Sequence, residues 1–187
     1  MLLLAGSGLG CGPAMDSGQS GTVSAPQGPC AAVVELPAVD IGYHAPQGTV
    51  LTWSTNPPAS GTHYPVWAPW AQAFTEIVPR GNWLHNAEHG GVVLLYRCAG
   101  DCPDVAAGLA SIGTALPQDS TCASPINARW LVTADPLLPD NVQVAAVGWG
   151  AIYHASCLDA ATLQSFITAH YAHGTEDFCS QGAIAWR

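Results

Sequence analysis

Two histidines and a glutamate stand within five residues of one another, at His85, Glu88 and His89, directly before two glycines and an apolar run. Imidazole and carboxylate groups are common metal ligands, and imidazole suits both copper and zinc. Such a site needs at least one more protein ligand, and His63 in a proline-rich segment is the best candidate. We therefore predict a copper or zinc site formed by His63, His85 and His89, with His44 and Glu88 as further candidate ligands.

Other interpretations of this cluster stay open at the level of sequence. The letters His-x-x-Glu-His match a zinc-protease motif that places both histidines on one helix. Pro79 upstream and Gly90 downstream disfavour it, because they leave room for no more than about two helical turns. In a metal-dependent enzyme, Glu88 would be the general base for a metal-bound water. Without a metal, the cluster would be a hydrogen-bonded brace in an interaction module of the cell envelope.

The segments around the cluster predict a single α+β domain with a mixed or mainly antiparallel sheet and two helices on one face. The predicted strands are residues 48–54, 92–96, 128–136 and 141–155, and the predicted helices are residues 103–116 and 159–174. The last strand is long enough to bend at Gly148 or Gly150. Residues 55–70 are rich in proline and predict a long, ordered loop. The aromatic residues expected to keep water from the site are Trp67, Trp70 and Trp83.

The chain has seven cysteines, and Cys11 stands apart from the others near the N-terminus. The remaining six are Cys30, Cys98, Cys102, Cys122, Cys157 and Cys179. An even number in an exported domain indicates disulfide bonds. We predict the pairs Cys98–Cys102, Cys122–Cys157 and Cys30–Cys179, the last of which would close the ends of the folded domain. Thiolate metal ligation by Cys98 and Cys102 is the alternative, which an oxidising compartment disfavours.

The N-terminal sequence MLLLAGSGLGC resembles the end of a bacterial lipoprotein signal over residues 1–11, with Cys11 as the residue that carries the lipid. Residues 12–29 are rich in glycine, serine and proline, and they predict a flexible tether because they bury too little apolar surface to offset ordering. Residues 30–187 form the predicted globular domain. This organisation predicts a lipoprotein of the bacterial cell envelope or periplasm, held to a membrane by its lipid anchor.

The charge balance excludes nucleic acid as a partner. The formal net charge is -9, and the four basic residues are all arginines scattered along the chain. A nucleic-acid-binding surface requires a basic patch, which this composition does not supply. A protein partner is not identified by any motif.

Several stretches resemble DUF3105, an uncharacterised family of bacterial exported or membrane-anchored proteins. They are NPPASGTHYP (56–65), LHNAEHGGVVLLY (84–96), VGWG (147–150) and HAPQGT from His44 onward, and the resemblance spans roughly residues 40–175. The family has no established activity to carry over. Its motifs contain all five candidate ligand residues, which favours the metal hypothesis. The histidines outside the motifs are His154, His170 and His173, for which a strand end and a helix C-terminus are sufficient explanations.

Overall fold

The structure is a computed structural model that describes residues 21–100 and 102–187. Cys11, the predicted signal and residues 12–20 of the predicted tether lie outside the described residues. The rest of the predicted tether is already part of the fold, because β1 (Thr22–Val23) pairs with β2 (Val33–Leu36). Among the described helices, none combines the length and the apolar character needed to cross a bilayer.

In the described part of the chain, seven strands form one sheet, where four strands were predicted, and the sheet is mixed as expected. The other strands are β3 (Gln72–Ala73), β4 (Val92–Tyr96), β5 (Trp130–Ala134), β6 (Val144–Gly148) and β7 (Ala151–Ala155). Their spatial order is β1-β2-β7-β6-β4-β5-β3. Strand β5 pairs in parallel with β3 and β4, and every other pairing is antiparallel. The α+β prediction is therefore confirmed.

Strand β4 lies at the centre of the sheet and is covered on both faces. Val93 is opposite Leu131 of β5 on one side and Val147 of β6 on the other. Val92 and Leu94 belong to one apolar cluster, whereas Val93 and Leu95 belong to the cluster on the other face. This double burial explains why the sequence of β4 is continuously apolar.

The described helices are α1 (Arg80–Glu88), α2 (Pro103–Thr114) and α3 (Ala160–His170). Helix α2 makes the crossover between the parallel strands β4 and β5. Buried residues of α2 and α3, among them Leu109 and Phe166, share one core cluster, so these two helices cover one face as predicted. Helix α1 and the proline-rich loop cover the opposite face, where Trp83 and Leu84 join the second core cluster.

Two of the four predicted strands are wrong. Residues 48–54 form no strand, because their backbone groups bond to a turn and to a side chain: Thr49 N donates to Pro46 O, and Tyr64 Oη donates to Thr49 O. Residues 141–155 are a hairpin and not one bent strand, since β6 and β7 pair through a two-residue connection, Trp149-Gly150. Gly150 has φ +73°, which suits a tight hairpin turn.

The three disulfides of the described residues correct two of the predicted pairs. Cys98–Cys102 is confirmed, but the other bonds are Cys30–Cys157 and Cys122–Cys179. The antiparallel register of β2 and β7 explains the first of these, because it sets Val33 opposite His154, three residues inside each cysteine. The Cys30–Cys157 pair therefore follows from the register of two strands that are distant in sequence, and local cysteine spacing does not reveal it.

Candidate metal centre

Three histidines and a glutamate converge beside helix α1. His44 and His63 pair in an isolated parallel bridge between two irregular segments, which brings their side chains together. His85 and Glu88 are three residues apart on α1 and lie on one face of the helix. One ligand atom from each of these four residues lies within 4.8 Å of the others. We call His44, His63, His85 and Glu88 the histidine cluster.

Backbone carbonyls fix the orientation of the two buried imidazoles in the histidine cluster. His63 Nδ1 lies 2.9 Å from Gly61 O, and His85 Nδ1 lies 2.7 Å from Tyr64 O. Because a carbonyl oxygen only accepts, Nδ1 of each ring must be the donor, so each neutral ring carries its lone pair on Nε2. Metal-binding histidines are oriented in the same way.

The carboxylate of Glu88 lies against the imidazoles of His63 and His44. Its Oε2 lies 2.9 Å from His63 Nε2 and 4.0 Å from His44 Nε2. Among the described residues, buried His63 Nε2 has no well-aligned hydrogen bond, despite the short distance to Glu88. A lone pair that faces a carboxylate at this distance requires a cation between the two groups, either a proton or a metal ion.

The protonation states of the neighbouring groups suit cation binding. Burial lowers the pKa of His85 to about 4, and burial together with the nearby imidazoles lowers the pKa of His89 to about 3. Burial would raise the pKa of Glu88, but the hydrogen bond with His63 and the charges of His63, His85 and His44 together outweigh it and the pKa is lowered. Near neutral pH, His85 and His89 are therefore neutral imidazoles and Glu88 is an anion.

Amide side chains hold the proline-rich loop onto α1. Asn86 Oδ1 accepts from Ala68 N at 2.9 Å and its Nδ2 donates to Ala68 O at 2.8 Å. One turn earlier, Asn82 Nδ2 donates to Val66 O at 2.6 Å and to Gln47 Oε1 at 3.0 Å. These bonds fix the segment that carries His63 and the carbonyl of Tyr64 relative to the helix that carries His85 and Glu88.

Aromatic side chains and a glycine shape the space around the histidine cluster. Trp67 packs against His85 and His89, with ring centroids 5.1 and 4.6 Å away, and Trp149 at the β6–β7 turn meets His63 edge-on at 5.9 Å. Gly42 passes so close that a Cβ there would lie 2.6 Å from Glu88 Oε1. The surrounding rings limit the access of water to the site, and the half-exposed His44 leaves it open on one side.

The structure brings four of the five candidate ligands into one group and places the fifth, His89, in a neighbouring group, with its ring centroid 4.5 Å from that of His85. His63 and His85 meet the further candidates His44 and Glu88, whereas His89 lies against Glu176, with 3.2 Å between His89 Nε2 and Glu176 Oε2. The three histidines outside the family motifs also lie outside the histidine cluster. Of the predicted aromatic residues, Trp67 contacts the site, Trp70 packs over Gly91, and Trp83 lies in the core.

Sequence reasoning missed several residues that build the site. These residues are Gly42, Asn82, Asn86, Trp149 and Glu176. Asn86 lies between the candidate ligands His85 and Glu88 in the stretch HNAEH (85–89), and this position was the signal in the sequence that could have identified it. Glu176 follows the last helix in an irregular segment, where no local pattern points to it.

The histidine cluster offers three imidazole nitrogens and one carboxylate oxygen, a set that could hold a metal ion. Four such donors match the coordination number of zinc and also suit copper. The chemistry of the donors, and not only their proximity, therefore fits a transition metal.

A family model described as "Protein of unknown function (DUF3105)" matches residues 44–182. The match begins at His44 and includes every residue of the histidine cluster as well as Glu176. Comparison with curated proteins finds no match, and comparison with solved structures finds none either. Because the match covers most of the chain and the site described above lies wholly within it, the chain belongs to the DUF3105 family.

Proposed function

We propose that this protein binds a transition metal ion, copper or zinc, through the histidine cluster, and that it does so as an exported, lipid-anchored domain. One observation carries the metal assignment. Two buried imidazoles are fixed by carbonyl acceptors at Nδ1, His63 Nε2 lies 2.9 Å from the carboxylate of Glu88, and one ligand atom of each of these residues and of His44 lies within 4.8 Å of the others. A metal ion satisfies this arrangement because it accepts electron pairs from both nitrogens and from the carboxylate at once.

A purely structural brace fits these contacts less well. A brace would need protons on both nitrogens of His63, because Nδ1 donates to Gly61 O at 2.9 Å and Nε2 would have to donate to Glu88 at 2.9 Å. It would also leave the lone pair of His85 Nε2 without a function. Glu88 as general base is disfavoured too, because its carboxylate lies among the ligand atoms and would itself bind the ion.

The cysteines support export. All six cysteines of the described residues form disulfides, and such bonds persist in oxidising compartments. The same pairing leaves none of these six thiols free to bind a metal. With Cys11 as the lipid-bearing residue, wild-type protein should fractionate with membranes and Cys11→Ala should appear in the soluble periplasmic fraction. Equal membrane retention of the two proteins would contradict the anchor.

The metal proposal is tested on untagged full-length protein extracted with detergent from the membrane fraction, by mass-spectrometric metal content before and after chelation. We expect at least about one equivalent of copper or zinc in the wild type. His85→Ala should lose it, since His85 supplies a buried ligand. His173→Ala is the matched control, because His173 is exposed and lies outside the histidine cluster. Absence of metal with no uptake on titration, or full metal content in His85→Ala, would overturn the proposal.

A further inference from the structure

We propose a second metal ion beside the first, bound by His89 and Glu176, with Glu88 bridging the two ions. The described residues hold a second group of ligand atoms, from Glu88, His89 and Glu176, that lie within 4.8 Å of one another. Glu88 is the member that this group shares with the histidine cluster. The inference rests on the proposed function, since the second ion adjoins the first.

His89 supplies the observation that points to a ligand. The side chain is almost completely buried, and among the described residues its Nδ1 has no hydrogen-bond partner. Its Nε2 lies 3.2 Å from Glu176 Oε2. The rings of Trp67 and Phe178 pack against it, with centroids 4.6 and 3.9 Å away. A buried imidazole enclosed by aromatic rings is costly unless both of its nitrogens are satisfied, and a cation bound by the lone pair of Nδ1, the nitrogen without a partner, would satisfy it.

Glu176 is held in place by its backbone, although about half of its side chain is exposed. Glu176 N donates to Glu88 O at 3.0 Å, and Ala172 N donates to Gly90 O at 2.8 Å. The neighbouring Asp177 forms an ion pair with Arg129 at 2.6 Å. These contacts tie the segment after α3 to the C-terminal end of α1, so Glu176 stays beside His89.

The two oxygens of Glu88 have different neighbours. Oε2 lies against His63 and His44, whereas Oε1 lies 3.4 Å from Thr175 Oγ1, on the segment that carries Glu176. A carboxylate that offers one oxygen to each of two ions is the usual bridge in two-metal sites of proteins. The charge of the nearby Arg129 is already matched by its ion pairs with Asp119 and Asp177.

The competing explanation is that Glu176 interacts only with the imidazole of His89 and that a single ion binds. The two explanations differ in metal stoichiometry, which makes the number of bound ions the deciding measurement. Zinc is the probe, because it fits both donor groups and has no redox chemistry.

The experiment strips the full-length protein with a chelator and titrates it with Zn²⁺ by calorimetry, with metal content measured after dialysis. We expect two equivalents in the wild type and one in Glu176→Gln. Asp104→Asn is the matched control for loss of an exposed carboxylate, and it should keep two equivalents. One equivalent in the wild type, or two in Glu176→Gln, would overturn the second site and leave the histidine cluster standing. No binding at all would overturn both proposals.

Discussion

At the scale of single residues, the site depends on backbone groups as much as on the ligands. The carbonyls of Gly61 and Tyr64 engage Nδ1 of His63 and His85 and so leave Nε2 of each ring for a ligand. Neither carbonyl belongs to a residue with chemistry of its own, so a list of histidines does not reveal them. The local sequence predicted His85 as a ligand and Glu88 as a further candidate from their closeness along the chain, and in the structure these two residues, three apart, share a face of α1.

The sequence did not reveal that His44, and not His89, joins this group. That choice follows from the bridge between His44 and His63, a contact between two irregular segments separated along the chain. Local periodicity carries no information on such a pairing. His89 and Glu176 are likewise brought together by the segment after α3, which no pattern places.

Gly42→Ala tests how tightly the chain passes the histidine cluster. The added methyl group would lie 2.6 Å from Glu88 Oε1 and 3.2 Å from both His63 Cε1 and the Trp149 ring, so Glu88 must move. We expect metal affinity to fall at least about tenfold, as for displaced partners of metal ligands. Stability should fall by about 1–3 kcal/mol, as for overpacking elsewhere. Calorimetric titration and urea unfolding measure the two effects.

Gly100→Ala is the control for this substitution, since a Cβ there meets no other atom of the described residues within 4 Å. It should change neither affinity nor stability measurably. If Gly42→Ala binds metal as tightly as Gly100→Ala, Glu88 is not constrained in the way that the structure indicates.

At the scale of elements, α1 is an unusual helix because it is buried almost all round and carries its polar residues inward. Asn82, His85, Asn86 and Glu88 are all buried on it. Sequence periodicity finds helices with one apolar face, such as α2 and α3, and those two were predicted correctly. Helix α1 has no such face, and its nine residues exceed the two turns that its flanking residues predicted.

Among the strands, too, some could be predicted from the sequence and others could not. Residues 92–96 and the centre of 128–136 were predicted from apolar runs, which report burial directly. Residues 48–54 have strand-like composition but no neighbouring strand to pair with, and Val50 is almost fully exposed. Strand propensity expresses the fit of a side chain to a sheet surface, so it is not informative where no sheet is present.

Asn86→Ala tests the attachment of the proline-rich loop to α1. The substitution removes both hydrogen bonds to Ala68 and leaves its buried N–H and C=O without these partners. We expect a loss of about 2 kcal/mol in the free energy of unfolding. Urea denaturation measures it, with the exposed Asn141→Ala as control. Equal stability of the two variants would show that the loop is held by other contacts.

At the scale of the whole molecule, two of the disulfides join parts of the chain that are distant in sequence. Cys30–Cys157 joins residues 127 positions apart at the end of the β2–β7 pair, and Cys122–Cys179 fastens the C-terminal segment that carries Glu176. Cys98–Cys102 closes only a short loop, with a separation of four. The loop-closure model therefore assigns most of the stabilisation to the first two bonds.

We predict that the double substitution Cys30→Ser with Cys157→Ser lowers the free energy of unfolding by about 5 kcal/mol. Removing Cys98 and Cys102 together should cost about 2 kcal/mol by the same model, which makes that pair the internal control. Denaturant unfolding of the two variants beside the wild type provides the comparison. A larger loss from the short loop than from the long one would contradict the loop-closure account.

The most direct test of the central claim is anomalous X-ray scattering from crystals of the full-length protein loaded with zinc or copper, measured at the absorption edge of the metal. The proposed site predicts an anomalous peak at about 2.0–2.2 Å from Nε2 of His63, Nε2 of His85 and a carboxylate oxygen of Glu88. His44 should close around the same ion. Metal-loaded crystals with no peak among these four side chains, or with peaks only at exposed residues such as His173, would contradict the account.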